Sequence, residues 1–299
     1  MWDIIIVGAG PAGMTAALYA LRARKKVLIF EAKTFGGQII NASSIENYPG
    51  IEKISGFEYA TNLYNQVSKL GAEFKFETVI HVDSNRVVTT DKGNYQAKSV
   101  ILATGAENRK LRINRENELV GRGVSYCATC DGNFYKGLDV CVVGGGNTAL
   151  EDAIYLSNIV NKVYLIHRRS EFRGDDKSVL EVENNPKIEL VLNSNVVELI
   201  GEDKLSGIVV EDKDNNKRKI NVSGLFIAVG QEPKNEIFSN IVDLDEAGYI
   251  ISEDGVHTKV KGIYVAGDSR EKSLRQLTTA VSDGAIAATM AIKEAKEID

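Results

Sequence analysis

Cysteine, histidine and proline are scarce in this chain: its 299 residues hold three Cys, three His and four Pro. A tetrahedral structural metal site needs four ligands, and His81, His167 and His257 are scattered, with no second ligand pair to complete one. No metal is expected. Long apolar runs are missing as well. None approaches the roughly 18 residues of a membrane span, so no membrane embedding is expected. An excess of positive charge is also absent, since 36 Lys and Arg stand against 41 Asp and Glu, for a net charge of -5. That balance offers nucleic acid no general attraction. Met1-Trp2-Asp3 runs straight into Ile4-Ile5-Ile6-Val7, without the basic region or small-residue cleavage site of a secretory signal. The expectation is a soluble, cytoplasmic chain in a compartment where ordinary thiols stay reduced. Its length allows two domains of ordinary size, each with its own core.

What the chain does have is a pair of thiols in a telling place. Cys127-Ala128-Thr129-Cys130 is followed by Asp131-Gly132. Two thiols separated by two residues can close a small disulfide ring and reopen it, so the pair can hold two electrons. The third, Cys141, sits in the apolar run Val140 to Val143 and reads as a small hydrophobe in a buried strand. C-x-x-C alone is ambiguous, because zinc sites share the spacing. Here one dinucleotide fingerprint precedes the pair and a second begins at Gly144, which makes an electron relay the better reading.

The first fingerprint is Gly8-Ala9-Gly10-Pro11-Ala12-Gly13, between a β-branched run from Ile4 and a helical pattern from Met14 to Arg24. Gly8 permits a tight turn, Gly10 lets the backbone approach a pyrophosphate, and Gly13 lets helix and strand pack closely. The helix N-terminus offers free N–H groups to phosphates. The next strand, Val27 to Phe30, ends at Glu31, an acid able to accept ribose hydrogen bonds. The second fingerprint, Gly144-Gly145-Gly146-Asn147-Thr148-Ala149, follows the strand Val140 to Val143 and opens a helix from Leu150 to Ser157. Its following strand, Lys162 to Ile166, ends in His167-Arg168-Arg169, with Arg173 four residues on. A carboxylate there suits a free ribose 2′-hydroxyl; guanidinium groups bind a 2′-phosphate through charge-assisted, often bidentate contacts. The pattern predicts NADPH in preference to NADH.

Between and beyond these lie Phe57 to Leu70, an amphipathic helix, and strands at Phe74 to Val82 and Arg86 to Thr90, read as part of an antiparallel insertion. Ser99 to Leu102 ends in Ala103-Thr104-Gly105. Further strands are read at Ile188 to Ile200, Ile208 to Glu211, Lys219 to Val222 and Leu225 to Val229. Ile263 to Val265 leads into Ala266-Gly267-Asp268, and Arg275-Gln276 opens a helix from Leu277 to Ala291 whose N-terminus favours negative charge.

Gly36-Gly37-Gln38 with Glu46-Asn47-Tyr48-Pro49-Gly50, and the Cys127 to Gly132 stretch, resemble the low-molecular-weight thioredoxin reductases along nearly the whole chain. The resemblance implies that the first nucleotide is FAD, held also by Gly36, Gly37, Gln38, Asn47, Ala103, Thr104, Gly105, Gly267, Asp268, Arg275, Gln276 and Leu277. On the residues alone, Ala103 to Gly105 also reads as a plain strand-to-loop turn, and Asp268 as a helix cap. His167, Arg168, Arg169 and Arg173 resemble the family's NADPH site. Cys130 is then the flavin-side sulfur, Cys127 attacks a partner disulfide, and Asp131 moves the proton; a loop aspartate is the other reading of Asp131. The partner implied is thioredoxin, the assembly a homodimer, and the two domains alternate between two arrangements.

The fold expected is α/β, with two doubly wound, Rossmann-like nucleotide-binding domains. An NADPH domain at 113–243, carrying the redox disulfide, is inserted into a discontinuous FAD domain at 1–112 and 244–299. A peroxiredoxin reductase would carry a thioredoxin-like extension before the first fingerprint, and a ferredoxin-fed relative would lack the second fingerprint and its arginines. A redox sensor could use the same folds without turnover; bound flavin with no NADPH-dependent thiol formation would mark it.

Overall fold

The structure, a computed structural model, describes residues 1–42, 44–252 and 254–295. It forms two compact units, Met1–Glu107 with the chain from Glu232 onward, and Asn108–Gln231. The first unit opens with β1 (Trp2–Val7), α1 (Pro11–Arg22) and β2 (Val27–Glu31), followed by α2 (Gly56–Lys69), β3 (Glu73–Phe76), β4 (Val79–Val82), β5 (Val87–Thr90) and β6 (Asn94–Leu102). Ile4, Ile5, Ile6, Leu28 and Ile29 are fully buried. Strands covered on both faces need apolar side chains at every position, which is why β1 and β2 show continuous runs instead of alternation. Pro11 takes the first position of α1, where its missing N–H would be unpaired in any case. Ser55 caps α2 by accepting the Glu58 N–H at 3.1 Å.

The sheet order is β3-β2-β1-β6-β5-β4. β1 runs parallel to both neighbours, with Val7 opposite Phe30 on one side and Leu102 on the other. Winding therefore reverses between β1 and β6, the place where doubly wound sheets bind ligands. The sequence predicts one strand from Phe74 to Val82 in an antiparallel insertion. The structure has two, at opposite edges: β3 is parallel to β2, and only β4 is antiparallel to β5. A polar knot breaks the run. Glu77 accepts the hydroxyls of Thr90 at 2.7 Å and Tyr95 at 3.0 Å, and Thr78 N–H donates to Asp91 at 3.0 Å.

The chain crosses to the second unit at β7 (Glu107–Asn108). There follow β8 (Val124–Ser125), α3 (Ala128–Asp131), β9 (Asp139–Val143), α4 (Asn147–Ser157), β10 (Lys162–Ile166), α5 (Asp176–Asn184), β11 (Ile188–Val191), β12 (Ser194–Ile200), β13 (Gly207–Asp212), β14 (Lys217–Ile220) and β15 (Gly224–Ile227). A parallel sheet has the order β11-β10-β9-β15-β8, and β12, β13 and β14 form an antiparallel meander. Winding reverses again, here between β9 and β15. The single strand expected from Ile188 to Ile200 is divided between the two sheets, because Asn193 adopts φ 51°; asparagine is among the few residues that tolerate this region.

The return runs through β16 (Gln231–Glu232), which pairs with β7. Both crossings lie earlier than the expected 112/113 and 243/244. Leu111 and Ile113 already pack on the second unit's core, whereas Phe238, Ile241 and Val242 are buried in the first unit's, with Ile5 and Val265. The chain ends with β17 (Ile263–Val265), parallel to Val100–Leu102, and α6 (Leu277–Ala295). α6 lies close against α1: a Cβ on Gly284 would meet the Ala12 carbonyl oxygen at 2.2 Å. Asp283, buried on α6, binds Arg270 through two bonds of 2.9 Å, Lys272 at 3.2 Å and the Gly267 N–H at 3.1 Å. Asp283→Ala leaves Arg270 without its carboxylate and Lys272 with Asp268 alone, and is expected to destabilise the first unit by about 3 kcal/mol, read as a lower denaturant midpoint. Among the described residues no helix is long and apolar enough to cross a membrane, and no group of three or more His, Cys, Asp or Glu could hold a metal ion.

Candidate active site

The redox pair occupies the start of α3. Cys127 is its N-cap, and the Cys130 N–H points at the Cys127 sulfur at 3.2 Å. The two sulfurs are bonded at 2.10 Å, with Cα atoms 5.3 Å apart. A helical turn carries residues i and i+3 on one face, so the two-residue spacing meets the short reach a disulfide requires. Asp131 N–H closes the turn on the Cys127 carbonyl at 3.1 Å. Gly132 follows because α4 presses there: a Cβ would meet Leu156 at 2.9 Å and Tyr155 at 3.2 Å.

Asp131 has its Oδ2 bound by the Ser125 hydroxyl at 2.6 Å. Its Oδ1 is buried and has no hydrogen-bond partner among the described residues. Burial pushes its carboxyl above the ordinary aspartate range, and the Ser125 hydrogen bond acts against that. A half-bound carboxyl whose pKa is raised by burial is suited to carrying a proton. Cys141, fully buried in β9, is pushed up by burial and takes no part.

In the first unit, the reversal point gathers the expected fingerprint. Gly8 has φ +110°, and a Cβ on it would meet the Ala103 carbonyl oxygen at 2.3 Å, so the turns after β1 and β6 touch. A Cβ on Gly13 would meet the Gly8 carbonyl oxygen at 2.0 Å. Gly10 has no such neighbour; Gly37 Cα, 4.0 Å away, borders an open face. Gly36 N–H donates to the Ala9 carbonyl at 2.8 Å, which brings Gly36 and Gly37 beside Gly10 and Pro11, and Gln38 continues in that turn. Glu31 Oε2 accepts the Ala9 N–H at 3.0 Å, placing its carboxylate at the turn. Gly267 packs on Ala12, where a Cβ would lie 2.8 Å from the Ala12 Cβ, and Asp268 follows, 3.1 Å from the Lys272 ammonium. Asn47 donates to Gln276 at 3.1 Å ahead of Leu277, the first residue of α6. Arg275 lies over the Tyr249 ring at 3.9 Å, and its Nε is buried with no hydrogen-bond partner among the described residues. Gly105, at φ +68°, turns the chain away.

The second unit repeats the arrangement. A Cβ on Gly144 would meet the Ala228 carbonyl oxygen at 2.3 Å, and Gly146 has nothing within 4 Å of the equivalent position. Asn147 accepts the Asp175 N–H at 2.8 Å, and Thr148 is exposed beside it. Arg168, Arg169 and Arg173 are exposed, and none makes an ion pair among the described residues. His167 differs from its arginine neighbours. It is 5% exposed, bonds the Glu171 carbonyl at 3.1 Å and stacks on Phe172. Burial first, then the three arginines, hold its pKa below the ordinary value. Its ring lies against Gly145, where a Cβ would stand 2.1 Å from it, so His167 supports the Gly144–Gly146 turn from behind.

Sequence reasoning passed over Gly145, whose need is set by that ring, and two buried polar residues. Asn235 is fully buried; it donates to the Gly248 and Ser269 carbonyls at 2.9 and 2.8 Å and takes the Thr104 hydroxyl at 3.1 Å. It thereby joins the Ala103–Gly105 turn to the Gly267–Ser269 turn. Ser125 is the other.

Two reversal-point glycine turns and a C-x-x-C disulfide define a class of nucleotide-dependent disulfide oxidoreductases. The chain belongs to the pyridine nucleotide-disulphide oxidoreductase family, whose model matches residues 2–284. It is 42% identical over 293 residues to the thioredoxin reductase of Bacillus subtilis, covering 96% of this chain and 93% of that one. It is 44% identical over 292 residues to the thioredoxin reductase of Treponema pallidum, covering 96% and 95%. The crystal structure of thioredoxin reductase from Streptococcus pyogenes superposes with a TM-score of 0.94 at 40% identity, covering 100% of this chain and 99% of that one. The cofactors are FAD and NADPH. The open face at Gly10 with the Glu31 carboxylate and the unpartnered Arg275 Nε fits the first, and the open face at Gly146 with three unpaired arginines fits the second.

Proposed function

We propose that this chain is an NADPH-dependent thioredoxin-disulfide reductase. The observation that carries this reading is the Cys127–Cys130 disulfide beside a buried, half-bound Asp131, in a chain with two glycine-turn cradles. Gly8, Gly10, Pro11, Ala12, Gly13, Glu31 and Asp268, with the Gly36–Gln38, Ala103–Gly105 and Arg275–Leu277 segments, hold FAD. Gly144, Gly146, Asn147, Thr148, Arg168, Arg169 and Arg173 hold NADPH, with His167 behind. Bound FAD supplies the two-electron exchange between nicotinamide hydride and disulfide. Two electrons open the Cys127–Cys130 bond and leave two sulfhydryl groups. The Cys127 thiolate attacks the thioredoxin disulfide, forms a mixed disulfide and expels one thioredoxin thiolate. Cys130 then attacks the Cys127 sulfur, which restores the internal disulfide and expels the second thiolate. Asp131 passes a proton to a departing thiolate and regains one from the attacking thiol. The net reaction is NADPH, a proton and a disulfide to NADP⁺ and a dithiol. Cytoplasmic location and a homodimeric assembly belong to the same reading and rest on the family resemblance.

An anaerobic spectral titration tests it. Two equivalents of NADPH, one for the disulfide and one for the flavin, are expected to generate thiols and bleach the flavin absorbance, NADH to do so poorly, and added oxidised thioredoxin to restore the spectrum. Bleaching that oxidised thioredoxin does not reverse would refute the assignment.

A further inference from the structure

Ser125 lies on β8, paired with Phe226 of β15, and is 3% exposed. Its single hydroxyl meets both partners of the redox turn. It donates to Asp131 Oδ2 at 2.6 Å and accepts the Cys127 N–H at 3.1 Å. The Cys127 carbonyl, 3.3 Å away, is a poorer acceptor for the same hydrogen. Asp131 Oδ1 is left buried and unbound among the described residues. A carboxyl fixed by one oxygen from a strand cannot rotate freely, and its other oxygen is left open to hold a transferable proton.

We infer that Ser125 is the positioning residue for proton transfer at the redox pair, holding the Asp131 carboxyl and the Cys127 backbone in one geometry through a single hydroxyl. This rests on the reading of Asp131 as the proton carrier given above. A hydrogen bond donated to a carboxylate favours its charged form, so the hydroxyl also tunes the carboxyl downward against burial. Other titratable groups surround the turn. Tyr135, on the turn after α3, is pushed up to about 12 by burial and by the Asp131 charge. α4, packed against α3, carries Tyr155 and also Asp152, which burial and then Glu151 push up to about 7. Asp152 could produce a pH dependence of its own near neutrality, so the test has to separate the two carboxyls.

The test compares the pH profile of thioredoxin reduction in wild type, Ser125→Ala, Ser125→Thr, Asp131→Asn and the Ser125→Ala/Asp131→Asn pair. Flavin absorbance and far-ultraviolet circular dichroism verify folding. Asp131→Asn is expected to remove one limb of the profile. Ser125→Ala is expected to move that limb upward by about one pH unit, the size of a hydrogen bond to a charged group. Ser125→Thr keeps the hydroxyl and returns the limb toward the wild-type position. In the Asp131→Asn background, Ser125→Ala shifts nothing further. An infrared titration of the Asp131 carboxyl band, identified by its loss in Asp131→Asn, reads the same shift without turnover. A Ser125→Ala profile superimposable on wild type, or displaced equally with Asn at 131, overturns the role of Ser125 and leaves that of Asp131 standing. A profile that keeps every wild-type limb with Asn at 131 refutes the carrier role, and the Ser125 inference with it; a limb left by Asp152 persists in both backgrounds and is unmoved by Ser125→Ala.

Discussion

Serine at either Cys127 or Cys130 is expected to cut thioredoxin reduction by about 10³-fold or more, with NADPH oxidation by a small artificial flavin oxidant largely retained. The two halves of this result have different origins. A serine hydroxyl is almost wholly protonated at neutral pH and cannot form the disulfide that stores two electrons, so either change breaks the relay at the same step. The cradles at Gly8 and Gly144 contain neither cysteine, and a small oxidant takes its electrons before the disulfide is needed. Steady-state NADPH oxidation with each acceptor measures both halves. Continued turnover of thioredoxin by either variant would show that this disulfide is not on the route.

Replacing Arg168 and Arg169 together with alanine is expected to lower kcat/KM for NADPH by roughly 2–3 kcal/mol, or about 100-fold, while that for NADH changes little. The argument is one of charge without partners. Both guanidinium groups are exposed at the end of β10 beside Arg173, and no carboxylate among the described residues neutralises them. A 2′-phosphate brings the charge they lack, whereas a 2′-hydroxyl gains almost nothing from them. Parallel kinetics with the two nucleotides provide the check, and equal losses with both would mean that the arginines read something common to them.

The parts of the fold and site legible in the sequence are those set by local geometry. A β-branched run, a glycine turn and a helical pattern adjoin one another in the chain, so Gly8 to Gly13 and Gly144 to Thr148 could be read directly, as could the acid or arginines ending the next strand. What escaped depends on side chains distant in sequence. Apolar residues continue across Glu77 and Thr78, and only the hydroxyls of Thr90 and Tyr95 show why the strand stops there. Asn193 reads as one more residue of a strand until its backbone is seen at positive φ. Asn235 reads as one more polar residue in a loop, yet it is fully buried and joins two turns that lie far apart in the chain. Ser125 sits only two residues before Cys127, but its importance depends on Asp131 reaching back to its hydroxyl.

One resemblance inside the molecule bears on how it tells its two nucleotides apart. The glycine ending β1 and the glycine ending β9 stand in the same relation to a neighbouring strand end, each with its missing Cβ 2.3 Å from a carbonyl oxygen, Ala103 in one unit and Ala228 in the other. Gly10 and Gly146 leave the same face open. The chain has used one mould twice, and a mould that accepts any pyrophosphate cannot choose between dinucleotides. On the proposed assignment, discrimination is displaced to the periphery of each cast: Glu31 at one rim, the arginines at the other. Under that assignment the glycine frame can stay constant while cofactor identity is rewritten by a few side chains at its rim.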